Sequence, residues 1–373
     1  MKVLAYISRF LLGIVFTFSG FVKAVDPWGS KFKFEDYFIA LGLEWLMPAS
    51  LVLAILLSTA EFIIGVAFLI GIKPKLSIWS SIAFMIFFTP LTLWLAITDA
   101  VTDCGCFGDA IVLTNWQTFF KNIAIIILLV PVFLYRKKFG HYMNCKLEWV
   151  VGVLFTVAIV GISIFGLRHL PIVDFLPYKP GLSLKPDTSV KVNYFVTYKN
   201  KITGVEKEYP ADNYPWNDSI WMSENEFVSS RDDRQRAAEM ISLENADFED
   251  VTERIMLNPS YQFLVVSFDM GKISEKAAEK IRTLAADCDK NDIEIALLTA
   301  TSPDKAEALR HEMQIPIDLY FADDIALKML VRSNPGFLLM KDGMLLDKWA
   351  WRDLPMLADI DLKKLEDQYL IKK

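Results

Sequence analysis

Two of the four cysteines in this 373-residue chain lie one residue apart, in the stretch Asp103-Cys104-Gly105-Cys106-Phe107-Gly108-Asp109. Free cysteines are usually scattered through cores as small hydrophobes, whereas two thiols separated by one glycine close a small ring, bind a soft metal or sit idle. A disulfide across one glycine closes a strained ring, and strained bridges are more readily reduced, which suits thiol transfer. A permanent structural bridge, or two reduced thiols in a tight loop, is the competing reading. Cu(I) would also suit two thiolates, but the loop carries no histidine; His141 and His169 lie elsewhere. Asp103 and Asp109 would raise the thiol pKa values if close by, and Lys23 or Lys121 would lower them. The choice depends on the compartment, and therefore on the elements that hold the loop.

With 53% hydrophobic and 13% aromatic residues the chain is richer in apolar side chains than an ordinary soluble protein, and the excess falls before residue 170. The formal charge of −6 and the pI near 5.3 give no support to nucleic-acid binding, which would show as a basic patch. Apolar runs at 4–22, 48–71, 76–98, 117–135 and 148–168 each approach the roughly 20 residues that cross a bilayer core. The first has no small-residue cleavage site after it, so it is expected to be a retained span rather than a removed signal.

Lys73 and Lys75 lie between the second and third runs, and Arg136, Lys137, Lys138 and Lys146 between the fourth and fifth. The loop at 99–116 has no Lys or Arg and carries Asp99, Asp103 and Asp109. The positive-inside bias therefore puts the N-terminus in the cytoplasm and places the cysteine loop and everything after residue 170 on the extracytoplasmic side. Cys104 and Cys106 then share a disulfide-permissive side, and Cys145 lies on the reducing side. Ionisable groups inside spans need a reason. Glu61 falls mid-span, as a structural carboxyl or a proton-handling one. Arg9 lies two turns into the first span, where it snorkels or pairs with an acid. Lys23, Lys121 and Asn122 lie at the depth of the cysteine loop.

These residues carry a resemblance. Arg9 and Gly13, the run Ser19-Gly20 with Lys23, Asp26-Pro27, the Glu61/Gly65 pair, and the Cys104/Cys106 loop followed by Trp116 and Lys121-Asn122 resemble the DoxX/MauE family of small membrane proteins over residues 1–140. The resemblance implies a four-helix membrane bundle associated with quinone- and thiol-linked redox chemistry; the MauE branch is linked to disulfide maturation of a periplasmic enzyme subunit. It implies Cys104 and Cys106 as the catalytic pair, and Glu61, Arg9, Lys23, Trp116, Lys121 and Asn122 as a membrane redox site that would take a quinone. The fifth span, within 141–170, lies beyond the four-helix pattern.

The second half reads as soluble. Residues 171–190, with Pro171, Pro177, Pro180 and Pro186, read as an extended spacer. Val192–Tyr198 and Val205–Tyr209 alternate as a hairpin within a 171–245 region. Asn213 to Arg234 shows no clear period, and its Trp216 and Trp221 either pack on their own domain or touch a membrane or partner. From Tyr261 the pattern is strand 261–268, helix 273–290, strand 293–299, helix 303–313, strand 318–321, helix 324–331, strands 336–341 and 344–350 about an Asp342-Gly343 turn, and a closing helix 354–370. The run Arg332 to Gly343 resembles the thioredoxin-fold signature, with Pro335 as its cis-proline, over 246–373. The expected fold is thus a polytopic helical membrane bundle followed by a soluble α/β thioredoxin-like domain. That domain lacks the family's Cys-x-x-Cys: Asp269 to Ser274 has no cysteine, and Cys288, near the end of the next helix, reads as a buried structural thiol.

Two readings follow. In one, Cys104/Cys106 cycles between dithiol and disulfide, serving a periplasmic client and a membrane carrier such as quinone. In the other, the chain is a tethered module that grips polypeptide at Asn334 and Pro335. No nucleophile elbow, phosphate loop or zinc-protease helix appears, so hydrolase and kinase chemistry have no support.

Overall fold

The computed structural model describes residues 2–140, 143–185, 194–232 and 240–369. His141, the 186–193 end of the expected spacer and hairpin strand, and residues 233–239 lie outside it.

Among the described residues six α-helices form the first part: α1 (Lys2–Val25), α2 (Pro27–Ala40), α3 (Ser50–Ile70), α4 (Pro74–Thr98), α5 (Asn115–Tyr135) and α6 (Cys145–Arg168). All but α2 are long and apolar enough to span a membrane, α3 together with the 3-10 turn Glu44–Ala49 before it. Their outward faces carry Ile7, Phe10, Ile86, Phe87, Val153 and Leu154 to the lipid, while Leu12, Phe16, Phe68, Ile78 and Val132 fill the interior. This is therefore a membrane protein in contact with the bilayer.

Local signals set the helix ends. The Oδ1 of Asp26 accepts from the Gly29 N–H at 2.9 Å and Pro27 occupies the first turn, so α2 starts immediately after α1. The segment after Lys23, which in sequence looks like a polar lead into the next span, is thus a helix of its own. Thr114 and Gln117 form a reciprocal capping box on α5.

The tightest helix contact is between α1 and α3. A Cβ at Gly65 would fall 2.2 Å from the backbone nitrogen of Thr17, and one at Gly20 would fall 2.3 Å from that of Phe62. Two glycines, one on each helix, thus let the backbones touch, as small residues do between helices in lipid.

The second part holds two sheets. Strands β1 (Tyr194–Asn200), β2 (Glu206–Pro210) and β3 (Asn225–Asp232) form an antiparallel sheet of order β2-β1-β3, with helix α7 (Ser219–Glu224) before β3. The aperiodic segment of the sequence therefore supplies a third strand. Trp221 packs edge-on against Tyr198 and Tyr209, while Trp216 stays exposed.

The larger sheet contains β4 (Tyr261–Ser267), β5 (Glu294–Thr299), β6 (Asp318–Phe321), β7 (Gly336–Lys341) and β8 (Met344–Ala350) in the order β6-β5-β4-β7-β8. The first three are parallel and the last two antiparallel, with Val265 opposite both Leu297 and Phe337. Alternation divides β4 between two cores. Leu264 and Val266 face α8 (Thr252–Met256) and α11 (Asp324–Leu330); Phe263 and Val265 face α9 (Glu275–Lys290), with Ala306 of α10 (Pro303–Glu312) in the same cluster. Cys288 is fully buried there, and burial, assisted by the charge of Asp287, pushes its thiol up to about 12. The β7–β8 turn places Asp342 and Gly343 at φ 53° and 74°, as a two-residue hairpin of this type requires.

Two expectations change. The closing helix is only α12 (Leu362–Tyr369), because Pro355 keeps the residue before it out of the helical region and a short 3-10 turn, Leu357–Asp359, intervenes. The described part of the spacer, up to residue 185, is also packed rather than free. Leu176, Tyr178 and Leu184 are buried, Gly181 and Leu184 hydrogen-bond along the β8 edge, and Lys348 Nζ binds Asp174 at 2.5 Å and the Tyr178 carbonyl at 2.6 Å.

Gly65→Val should force α1 and α3 apart and cost roughly 2 kcal/mol or more, as overpacking does. Thermal unfolding in detergent checks this; an unchanged midpoint would show that the helices do not rely on that contact.

Candidate functional site

The helix contact at Gly20 and Gly65 brings Ser19 and Lys23 of α1 against Glu61 of α3. All three are buried, and Lys23 Nζ lies 2.7 and 2.6 Å from the two carboxylate oxygens and 3.1 Å from Ser19 Oγ. The three ammonium protons are therefore all engaged. Ser19 Oγ lies 2.9 Å from Glu61 Oε2 and 2.7 Å from the carbonyl oxygen of Cys106. One hydroxyl carries one proton, so Ser19 serves one acceptor at a time while Glu61 is ionised. If Glu61 takes up a proton it becomes a donor to Ser19, and Ser19 is released to Cys106. A buried ion pair is thereby connected to the cysteine loop by a single hydroxyl.

The loop is shaped by α2, which sequence reasoning left out. The sulfurs of Cys104 and Cys106 are paired across Gly105, with Cα atoms 5.4 Å apart. Gly105 sits at φ 63°, and a Cβ there would meet Lys33 Cγ at 2.9 Å, so both backbone angle and space call for glycine. Lys33 Nζ reaches Asp103 Oδ2 at 2.7 Å while Asp103 Oδ1 accepts from the Gly105 N–H at 2.8 Å. Tyr37 donates its hydroxyl to the Cys104 carbonyl at 2.9 Å. Burial first, and the charges of Asp103 and Asp36 after it, raise the Tyr37 pKa, which keeps that donor protonated. The signals for α2 were present in sequence: an Asp26-Pro27 start and the Lys31/Glu35 spacing that pairs at 2.6 Å.

Beneath the pair lies a cavity of about 170 Å³. Cys104, Gly105 and Cys106 line it together with Ser19, Lys23, Ser30, Lys33, Tyr37, Glu61, Lys121 and Asn122, and the rest of its wall is apolar, chiefly Phe16, Phe84, Phe88, Leu57 and Leu91. Lys121 Nζ lies 4.7 Å from the Phe107 ring centre, and Asn122 Nδ2 donates to Thr92 Oγ1 at 3.0 Å.

The structure thus brings Cys104, Cys106, Glu61, Lys23, Lys121 and Asn122 to one cavity, and leaves Arg9 and Trp116 away from it. Arg9 is fourteen residues before Lys23 on the same helix, about 21 Å along the axis. Its guanidinium packs instead on Tyr6 and Phe139, 5.5 and 5.4 Å from their ring centres. Trp116 lies about 140° round α5 from Lys121, is half exposed, and contacts Phe119 and Phe120.

The C-terminal α/β region sits against the same loop. The Asn334–Pro335 peptide is cis. Asn334 is held by its own domain, accepting from Ser267 Oγ at 2.9 Å and donating to the Asp269 carbonyl at 2.8 Å. It lines a cleft of about 760 Å³ with Trp28, Phe32, Phe268 and Trp351. Arg332, buried, reaches Asp26 Oδ2 at 2.8 Å through Nε and Asp109 Oδ2 at 2.5 Å through Nη2. Burial would lower the Arg332 pKa, but the charges of Asp26 and Asp109 outweigh it and raise it. Burial pushes the Asp109 pKa upward, with Arg332 opposing. No local sequence signal marks these contacts.

Residues 1–135 match the model of the family described as methylamine utilisation protein MauE. No curated protein and no solved structure matches the chain.

Removing one partner of a buried pair strands the other charge, so Glu61→Gln or Lys23→Met should each cost about 3–5 kcal/mol, and the double variant should recover most of it. Unfolding of the three variants in detergent checks this; losses that simply add would show the two groups to be uncoupled.

Proposed function

We propose that the chain is a thiol–disulfide redox protein of the bacterial inner membrane, in which Cys104 and Cys106 take an electron pair from a periplasmic client and pass it to quinone. The observation that carries this reading is that the cysteine pair lines an apolar cavity ending on the buried Lys23–Glu61 pair. Similarity of residues 1–135 to the MauE family and the five membrane helices support it. The positive-inside bias supports a periplasmic cysteine loop, since Lys73, Lys75 and Arg136 to Lys138 fall in the loops of the other side.

A client dithiol attacks the Cys104–Cys106 disulfide; the client leaves as a disulfide, and the pair becomes a dithiol. Two electrons and two protons then move from the pair to the quinone, which leaves as quinol while the Cys104–Cys106 bond re-forms. The apolar wall suits an isoprenoid tail, and Lys121 and Lys33 offer cationic donors to a quinone oxygen. Glu61 and Ser19 supply a route for one of the protons. We further read the outer domain as thioredoxin-like. Support comes from its βαβ order followed by an antiparallel β7–β8 hairpin, and from the cis Asn334–Pro335 bond before β7. Lacking a cysteine after β4, it would hold a client rather than exchange with it.

Protein in lipid nanodiscs, reduced and freed of reductant, should convert about one equivalent of quinone to quinol without oxygen, read by quinone absorbance. Cys104→Ser with Cys106→Ser should abolish this, and Glu61→Gln should slow it and change its pH dependence. Quinol formation that persists without the cysteines would overturn the reading.

A further inference from the structure

We propose that Arg332 is a positioning residue for the cysteine pair, and that the C-terminal region acts on the membrane site through this side chain. The inference rests on the redox reading above and assigns the outer domain its part in it.

Arg332 is 223 residues from Asp109 and 306 from Asp26, yet it touches both. Its side chain is 6% exposed, and its remaining arm, Nη1, donates to the Lys328 carbonyl at 2.6 Å. All three nitrogens are thus committed, two of them across the boundary between the outer domain and the membrane part. A guanidinium holds two carboxylates and a carbonyl in one plane, as a lysine ammonium cannot. The room is built for it: a Cβ at Gly29 would lie 2.4 Å from Asp26 Oδ2 and 3.0 Å from Arg332 Nη2.

Each acid leads to the site by a short, stiff route. Asp26 caps α2, the helix that presents Lys33 and Tyr37 to the loop. Asp109 lies in the 3-10 turn Gly108–Ala110, where Gly108 N–H bonds to the Gly105 carbonyl at 3.0 Å and Ala110 N–H to that of Phe107 at 3.2 Å. Moving Asp109 therefore moves the backbone of Gly105 to Phe107. With the clasp closed, Cys104 is buried beneath α2 and the pair lines the cavity. A client on the outer side reaches the pair when the clasp opens. The clasp thus sets whether the pair faces the carrier or the client, and Arg332 need not touch the reacting sulfurs.

The test uses the full chain in nanodiscs with three variants: Arg332→Gln, Arg332→Lys and Asp109→Asn, the last leaving the outer domain untouched. Two rates are read on the reduced protein: labelling of Cys104 and Cys106 by a membrane-impermeant maleimide, and reoxidation by quinone. Breaking a buried charge pair of this kind should raise the labelling rate by about tenfold or more in Arg332→Gln and Asp109→Asn, and lower the quinone rate by a similar factor. Arg332→Lys should fall between these and the parent. Opposite movement of the two rates separates positioning from general loosening, which would raise labelling and leave the quinone rate of folded protein in place. Unchanged labelling in folded Arg332→Gln and Asp109→Asn overturns the proposal, as does faster labelling with an unchanged quinone rate. If the parent itself is not oxidised by quinone, the redox reading fails, and labelling alone still decides whether the clasp covers the pair.

Discussion

The arrangement depends on the backbone contact between α1 and α3. In lipid, helices gain little from hiding apolar surface, so close approach through small residues has to hold them together. Gly20 and Gly65 allow that approach, and it carries Lys23 and Glu61 to within 2.6 Å of each other. Were the helices set at an ordinary distance, two opposite charges would be buried apart, which a membrane interior does not tolerate. The ion pair in turn needs a third partner, and Ser19, one helical turn before Lys23, supplies it and reaches on to Cys106. Packing, electrostatics and the placement of the cysteine loop are thus one connected constraint.

The loop is confined from several directions. Ser19 holds the Cys106 carbonyl from below, Tyr37 holds that of Cys104 from α2, Lys33 and Asp103 shape Gly105, and Arg332 holds Asp109 from above. Every one of these contacts goes to backbone or to a flanking acid, and none goes to the two sulfurs. An apolar cavity lined by Lys33 and Tyr37 and a cleft lined by Trp28 and Phe32 lie on opposite sides of α2. The redox relay proposed above would use that division, with the cysteine pair between two spaces of different polarity.

Much of this was legible in the chain. The five apolar runs, the cysteine loop and the strand alternation from Tyr261 onward follow from periodicity, and the Asp342-Gly343 turn follows from its residue types. The resemblance of the first 140 residues pointed to Glu61, Lys23, Lys121 and Asn122, which the structure gathers round one cavity, and also to Arg9 and Trp116, which lie elsewhere. Helical phase and rise explain both departures: Arg9 is too far along α1, and Trp116 faces away from Lys121. Helix α2 was missed because its charged residues break up an apolar stripe, although its cap was readable. The Arg332 clasp could not be read, since it joins residues hundreds of positions apart and leaves no periodic trace. The spacer was misjudged because prolines signal extended chain without saying whether it packs, and here Lys348 and the β8 edge capture it.

The central claim, that the pair turns over in its membrane, is tested most directly by trapping the thiols of Cys104 and Cys106 in living cells. Acid quenching and alkylation with a mass-shifting reagent would be applied to cells with and without respiratory quinone. The account predicts a mainly oxidised pair when quinone is present and accumulation of the dithiol when it is withdrawn. A pair that stays fully oxidised, or fully reduced, under both conditions would contradict it.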